Sequence, residues 1–256
     1  MRRPDRLEPD KIKANLNNHR IGKKVIVFSS VSSTNDIASE YATATENDGL
    51  VILAEEQAGG RGRGKNKWLS GAGDSILCSV LLINEPLSGE LLSLTCAVAV
   101  AEAIGPAAKI KWPNDIILND KKVAGILLES RQTGDITAYI LGVGINCHQK
   151  EFDSELCDIA TSIDIEAGSV CDRVVLIRRL LSCIEHWLII AKKNAQQVID
   201  TWGNLSLLLG QRTTILYNKK KFTGTCSGID PEKGLILQLD SGRPGFFHAE
   251  HTSIVR

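Results

Sequence analysis

Apolar positions recur along this chain with two periods, and the places where one period gives way to the other predict its elements. Val25 to Phe28 reads as a short strand. Ser32-Ser33-Thr34-Asn35-Asp36 then opens a helix that carries Ile37, Ala38, Tyr41 and Ala42 on one face. Ser33 and Asp36 stand at capping-box spacing, so these hydroxyls are expected to cap that helix. Leu50 to Glu56 predicts a second strand, and Ser75 to Ile83 a third, apolar enough to be buried on both faces. Leu91 to Ile104 is apolar nearly all round and predicts a buried helix. A short strand around Ile110 breaks at Pro113; a turn at Asn119-Asp120 leads into a return strand from Lys122 to Glu129, and Thr137 to Asn146 forms another. Residues 147–172 are polar and irregular, after which Val174, Ile177, Leu181, Ile184, Leu188 and Ala191 mark one face of a long amphipathic helix. A shorter helix with Trp202 is expected over residues 196–208. From Gly210 the texture becomes short β-rich pieces separated by turns at Asp230 to Gly234 and Asp240 to Gly242, which predicts a small β-barrel or sandwich. The pattern is that of an α+β protein with a main unit over residues 1–208 and a small barrel over residues 209–256. That barrel is near the lower size limit for independent folding and is expected to pack on the main unit.

Composition narrows the chemistry. The 256 residues carry 30 basic and 30 acidic side chains, so no bulk attraction to nucleic acid or anionic lipid is expected. Any basic site must be local. The 7 cysteines are scattered without CxxC pairing, which reads as reduced thiols in a cytoplasmic setting and not as a zinc site. The N-terminus lacks the apolar core of a signal peptide, and the longest charge-free apolar run, Leu91 to Ala101, is too short to span a bilayer. His248 and His251 are expected at the surface and not on a metal.

The local basic site is Gln57 to Trp68, with Gly59, Gly60, Gly62 and Gly64 alternating with Arg61, Arg63, Lys65 and Lys67. Glycines let main-chain N–H groups come close to a ligand, and guanidinium forks suit carboxylate and phosphate oxygens. A compact anion, a solvated hairpin tip or an RGG-like nucleic-acid segment each accounts for the run by itself. It joins two strands, with neither the Ser/Thr nor the helix that a nucleotide P-loop requires. A second dense stretch, Lys109 to Leu118, sets Lys111 and Asp115 on either side of a proline corner, with Asn114 between them. Trp112 and Pro113 are expected to pack. Gly142 and Gly144 permit close approach of a ligand or another backbone, but no third glycine and helix follow to complete a dinucleotide fingerprint.

Five stretches in order, Ser33 to Asn35, Gln57 to Trp68, Lys111 to Asp115, Lys122 to Leu127 and Gly142 to Asn146, closely resemble the biotin protein ligases. The resemblance implies a class II synthetase-like catalytic domain, a mixed sheet packed with helices, followed by an SH3-like barrel. It implies a ligase that converts biotin and ATP, with Mg²⁺, to biotinyl-5'-AMP and then moves biotin to a lysine of a biotin carboxyl carrier protein such as an acetyl-CoA carboxylase subunit. By that resemblance Ser33, Thr34, Asn35 and Gln57 address the ureido head of biotin, with the backbone of Arg61, Gly62 and Arg63. Lys122 lies near the biotin carboxylate and Arg63 closes over the adenylate. Asn114 and Asn146 match residues on the nucleotide side. Lys111 is the candidate for offsetting the repulsion between carboxylate and triphosphate, and Asp115, partnered by Lys122, for orienting the attacking carrier lysine. No dedicated metal site on the protein is implied beyond Mg²⁺ arriving with ATP.

The usual family loop reads GRGRRGR; here Gly64 and Asn66 replace arginines, so fewer charge-assisted contacts to the adenylate are expected of a loop that still closes on ligand. About two dozen residues precede the first strand, too few for the helices of a DNA-binding repressor, so no nucleic-acid or membrane partner is expected. Either a monomer or a homodimer suits the layout. The nearer alternative is a lipoate/octanoate-protein ligase or transferase of the same fold; a biotin-binding module without catalysis is a third.

Overall fold

The computed structural model describes residues 5–64 and 66–254. Its first helix is short, α1 (Pro9–Lys13), followed by β1 (Val25–Phe28), α2 (Thr34–Glu40), β2 (Val51–Ala54) and β3 (Ser75–Ile83). The central run continues through α3 (Gly89–Ile104), β4 (Lys109–Lys111), β5 (Asp115–Leu118), β6 (Lys121–Thr133) and β7 (Ile136–Asn146). Three helices come next, α4 (Ile163–Ala167), α5 (Arg173–Lys193) and α6 (Ala195–Leu205). The chain then enters β8 (Arg212–Tyr217), β9 (Lys220–Asp230), β10 (Gly234–Leu239), β11 (Pro244–Phe247) and β12 (Thr252–Ile254).

Seven strands form one sheet in the order β1-β2-β3-β7-β6-β5-β4. Only β1 and β2 run parallel; the remaining neighbours are antiparallel. Every residue of β3 is buried, as its unbroken apolar run requires of a strand with another layer on each face. On one face the alternating residues Ile76, Cys78, Val80 and Leu82 join the main core with α3, α5 and α6. Helix α3 is apolar all round because it lies beneath the sheet and against α5 and α6 at once. Ser88 caps it, its hydroxyl accepting from Leu91 N at 3.2 Å. On the opposite face Leu81 and Ile83 pack with Ala138, Ile140 and the Ala38 and Ala42 side of α2.

The other five strands form an antiparallel sheet in the order β11-β10-β9-β8-β12, consistent with an SH3-like layout. It is joined to the larger sheet by backbone: Leu207 N donates to Ile110 O at 2.9 Å, immediately after α6. His248 is half exposed, with Nδ1 3.4 Å from Glu90 Oε1; the His251 side chain lies outside the described residues.

Two local expectations change. Ser33 precedes α2 but makes no side-chain capping bond; Asp36 N donates to the Ser33 carbonyl instead, and the Asp36 carboxylate is turned towards Arg61. The polar stretch over residues 147–172 is not wholly irregular: it contains α4, capped by the Ser162 hydroxyl, which accepts from Ile165 N at 3.3 Å. Among the described residues no helix is long and apolar enough to cross a membrane.

Candidate active site

The α2 face of the large sheet is hollowed by its sequence. Alternate residues of β7 on that face run Ala138, Ile140, Gly142 and Gly144, so side-chain volume falls to hydrogen where β7 passes Ser79 and Leu77 of β3. Gly125 of β6 lies beside Gly144 and extends the hollow. Two side chains enter the space. A Cβ on Gly142 would lie 2.5 Å from Asn35 Oδ1; one on Gly144 would lie 2.5 Å from Trp68 Cε2, and one on Gly125 2.9 Å from Trp68 Cζ3. These glycines therefore seat Asn35 and the indole at the end of the basic loop, where a ligand or a backbone was expected to approach. What remains is a cavity of about 480 Å³, within the usual range for small-molecule sites.

At one end lies an interlocked polar group. The amide oxygen of Gln57 accepts from Thr34 N at 2.7 Å and lies 3.0 Å from Thr34 Oγ1. Ser79 Oγ lies 2.8 Å from Thr34 Oγ1 and 2.5 Å from Asn35 Oδ1. An amide oxygen only accepts, so the single proton of Ser79 goes to Asn35 and that of Thr34 to Gln57. Asn35 Nδ2 donates to Glu129 Oε2 at 2.6 Å. A carboxylate also only accepts, so Ser79 and Glu129 together fix which way the Asn35 amide points. With its oxygen held by Thr34, Gln57 keeps its NH₂ group for the cavity. Ser33, Thr34, Asn35 and Gln57 all line that cavity, and the first three are buried.

The other end is charged. Lys111 and Asp115 are register partners across the β4-β5 hairpin, and the Trp112–Pro113 peptide bond at its corner is cis. Asn114 pins this corner to β6, donating its amide to Ile126 O at 3.0 Å. Asn119 and Asp120 take positive φ of 47° and 66° in the next turn, returning the chain so that Lys122 Nζ lies 2.5 Å from Asp115 Oδ1. The same ammonium sits 5.7 Å from the centre of the Trp68 ring. The Lys122 backbone is strapped on both sides: its N–H donates to Ile159 O at 2.8 Å and its carbonyl accepts from Thr161 N at 2.9 Å. Lys111, Asn114, Asp115 and Lys122 all line the cavity.

The basic loop arches over both ends. Gly62 N donates to Asn66 O at 2.8 Å, and Trp68 N to Gly60 O at 3.0 Å. Gly64 has φ of 68°, a left-handed conformation in which an arginine would be strained. The two arginines behave differently. Arg61 does not offer its charge to an anion: Nη1 lies 2.6 Å from Asp36 Oδ1 and Nη2 3.1 Å from Glu129 Oε2. Burial opposes its charge, but the bonds to Asp36 and Glu129 outweigh that and raise its pKa. Arg63 donates to the carbonyl of Thr252 in the small sheet. Burial lowers its basicity despite the pull of Asp115 and Glu90, so it is a cation short of counter-charge beside the cavity.

Of the residues expected at the site, Asn146 is not brought to it. Its side chain is buried at the far end of β7, donates to Thr161 O at 3.0 Å, and lies outside the cavity lining. Its amide is used to hold the segment that straps Lys122. Trp68 lines the cavity, and Ser79, Glu129 and Asp36 hold Asn35 and Arg61 from behind its lining; none of the four was anticipated in these places. A lone hydroxyl in the middle of an otherwise apolar strand was the available signal for Ser79, because a buried hydroxyl requires a partner. Glu129 carried no local signal, since its partners are 94 and 68 residues away in sequence.

Comparison with known proteins agrees with this geometry. The biotin/lipoate A/B protein ligase family matches residues 27–146. The chain is 33% identical over 260 residues to the bifunctional ligase/repressor BirA of Bacillus subtilis, covering 98% of this chain and 80% of that protein. It is 30% identical over 254 residues to the biotin--[acetyl-CoA-carboxylase] ligase of Mycobacterium tuberculosis, covering 92% of each. Among solved structures, the biotin protein ligase of Aquifex aeolicus in complex with biotin and ATP superposes with a TM-score of 0.78 at 29% identity, over 91% of this chain and 99% of that one.

Proposed function

The chain belongs to the biotin/lipoate A/B protein ligase family, and from that premise we propose that its cavity joins biotin to AMP and passes the biotinyl group to a carrier lysine. The observation that carries this reading is the pairing, within one cavity, of a buried polar end with a cationic end. Biotin has the matching polarity: a cyclic urea, with one acceptor oxygen and two N–H donors, at one end and a carboxylate at the other. The Gln57 amide and the oriented Asn35 amide can meet a urea with both donors and acceptors. Lipoate offers a disulfide ring there, which would leave those groups unpaired at a cost of about 1–3 kcal/mol each.

In the first step the biotin carboxylate attacks the α-phosphorus of ATP and pyrophosphate leaves. Two anions must meet, and Lys111, Lys122 and Arg63 supply positive charge already in place around the cavity. Arg63 is the residue that would close over the adenylate, and Asn114 would face the nucleotide with the acceptor that its bond to Ile126 leaves over. Magnesium fits this site as a companion of the triphosphate: Asp115 is already paired with Lys122, so phosphate oxygens would hold most of the ion. Bound there, it adds charge compensation on the phosphates. In the second step a lysine of the carrier protein, as a neutral amine, attacks the acyl carbon of the mixed anhydride; the amide bond forms, the acyl–phosphate bond breaks and AMP leaves. Asp115, paired with Lys122, accepts the amine proton or orients the amine. A biotin carboxyl carrier domain is the acceptor we infer, from the acetyl-CoA carboxylase substrate in the names of relatives.

Pyrophosphate release should depend on biotin in the presence of ATP and magnesium, and should stay at background with lipoate or octanoate. Equal release with lipoate would move the chain to the other branch of its family. No release with any of the three acids would defeat the proposal.

A further inference from the structure

Behind the cavity, at the end of β7, a second cluster of chemistry-bearing side chains lies outside the proposed reaction. Ligand atoms of His148, Asp164 and Cys171 all lie within 4.8 Å of one another. His148 Nδ1 is 2.9 Å from Asp164 Oδ2, and its other nitrogen, Nε2, is 3.1 Å from Asp5 Oδ1. Asp5 is itself held, accepting from Arg173 Nε at 2.9 Å and from Arg173 N at 2.7 Å, and Arg173 is buried. The backbone fixes the same group. Asp164 N donates to Cys147 O at 3.0 Å, and Asp164 Oδ1 accepts from Cys171 N at 2.8 Å.

We propose that Cys171, His148 and Asp164 form a binding site for a zinc-class divalent cation, with water completing the coordination. A thiolate sulfur, an imidazole nitrogen and a carboxylate oxygen are a donor set that suits a tetrahedral, borderline-soft ion. The Asp5 carboxylate on the far nitrogen of His148 is the outer partner that metal-bound histidines ordinarily have: it takes the Nε2 proton and turns the Nδ1 lone pair inward. The absence of CxxC spacing concealed the set, since its donors come singly, at His148, Asp164 and Cys171. An ion there clamps residues 148–171 onto the end of β7. That segment contains Ile159 and Thr161, which strap the Lys122 backbone. The role is structural support for the cavity wall, and no step of ligation passes through it.

The test uses the full chain, reduced and freed of metal, then dialysed against Zn²⁺ or Co²⁺. The expected result is one equivalent of zinc retained per chain by elemental analysis. A cobalt form should show intense ligand-field bands of a tetrahedral site together with thiolate-to-cobalt charge transfer. Cys171→Ser and His148→Ala should each lose the retained zinc, and Cys171→Ser should abolish the charge-transfer band, whereas Cys157→Ser, at an exposed thiol elsewhere, should change nothing. Asp5→Asn should weaken zinc affinity by about 10- to 100-fold, the usual effect of removing an outer partner. Zinc should raise the melting temperature of the parent protein and of Cys157→Ser, but not of Cys171→Ser, which separates loss of metal from loss of fold. The alternative is an imidazolium that merely bridges two carboxylates. Failure to retain stoichiometric zinc, or retention undiminished in Cys171→Ser and His148→Ala, would establish that alternative and overturn the proposal.

Discussion

The two ends of the cavity are built on opposite plans. At the polar end, Thr34, Asn35, Gln57, Ser79 and Glu129 hold one another by direct bonds, so donors and acceptors are oriented before a ligand arrives. At the cationic end only Lys122 has a carboxylate partner, Asp115; Arg63 rests on a backbone carbonyl, and Lys111 forms no ion pair among the described residues. The first plan suits a neutral head group, which is bound equally well in the ground and transition states. The second suits charge that is greatest during reaction, because an anion completes it. Changes at the polar end should therefore appear in KM for biotin, and changes at the cationic end in kcat.

Lys111→Ala is expected to give the largest effect: a fall of roughly a hundredfold to a thousandfold in the biotin-dependent rate of pyrophosphate release, with KM for biotin little changed. A change confined to KM would show that the charged end only binds. Ser79→Ala removes the proton that orients Asn35 and leaves a buried acceptor unsatisfied, at about 1–3 kcal/mol. KM for biotin should rise about tenfold or more with kcat retained; steady-state kinetics with biotin varied decides it, and an equal fall in kcat would erase the distinction between the ends. Arg61→Met breaks two exposed ion pairs, each worth about 0.2–1 kcal/mol, so turnover should fall less than about fivefold. A loss as large as that of Lys111→Ala would mean that Arg61 leaves Asp36 and Glu129 to meet the substrate. The smallest effect concerns Cys78, in the helix-covered core behind the sheet, whose thiol pKa is pushed up to about 12 by burial. Only the thiolate alkylates, and below that pKa the thiol stays protonated, so at about pH 8 iodoacetamide should modify the exposed Cys157 and spare Cys78. Ready labelling of Cys78 would mean that this core opens to water.

Much of this was legible in the residues. The fully apolar Ser75 to Ile83 run could only be a doubly covered strand, and the proline between Lys111 and Asp115 required the corner that sets them across a hairpin. The glycines at 142 and 144 announced a close approach, but not by what, because Asn35 and Trp68 reach them from segments more than seventy residues earlier in the chain. Asn146 goes the other way. The resemblance put it on the nucleotide side, yet the strand carries it past the hollow and turns it towards Thr161. Capping-box spacing at Ser33 and Asp36 was equally local evidence, outweighed by the pull of the distant Arg61.

By itself the sequence determined the elements, the two sheets' division of the chain, and the basic loop with its lysine-bearing corner, because periodicity, glycine and proline act on their neighbours within a few residues. Tertiary structure alone decided which of those charges stay available. Arg61 and Arg63 are two residues apart and chemically the same, but one faces two carboxylates and the other a backbone carbonyl, and those partners come from a helix and two strands that only folding brings alongside.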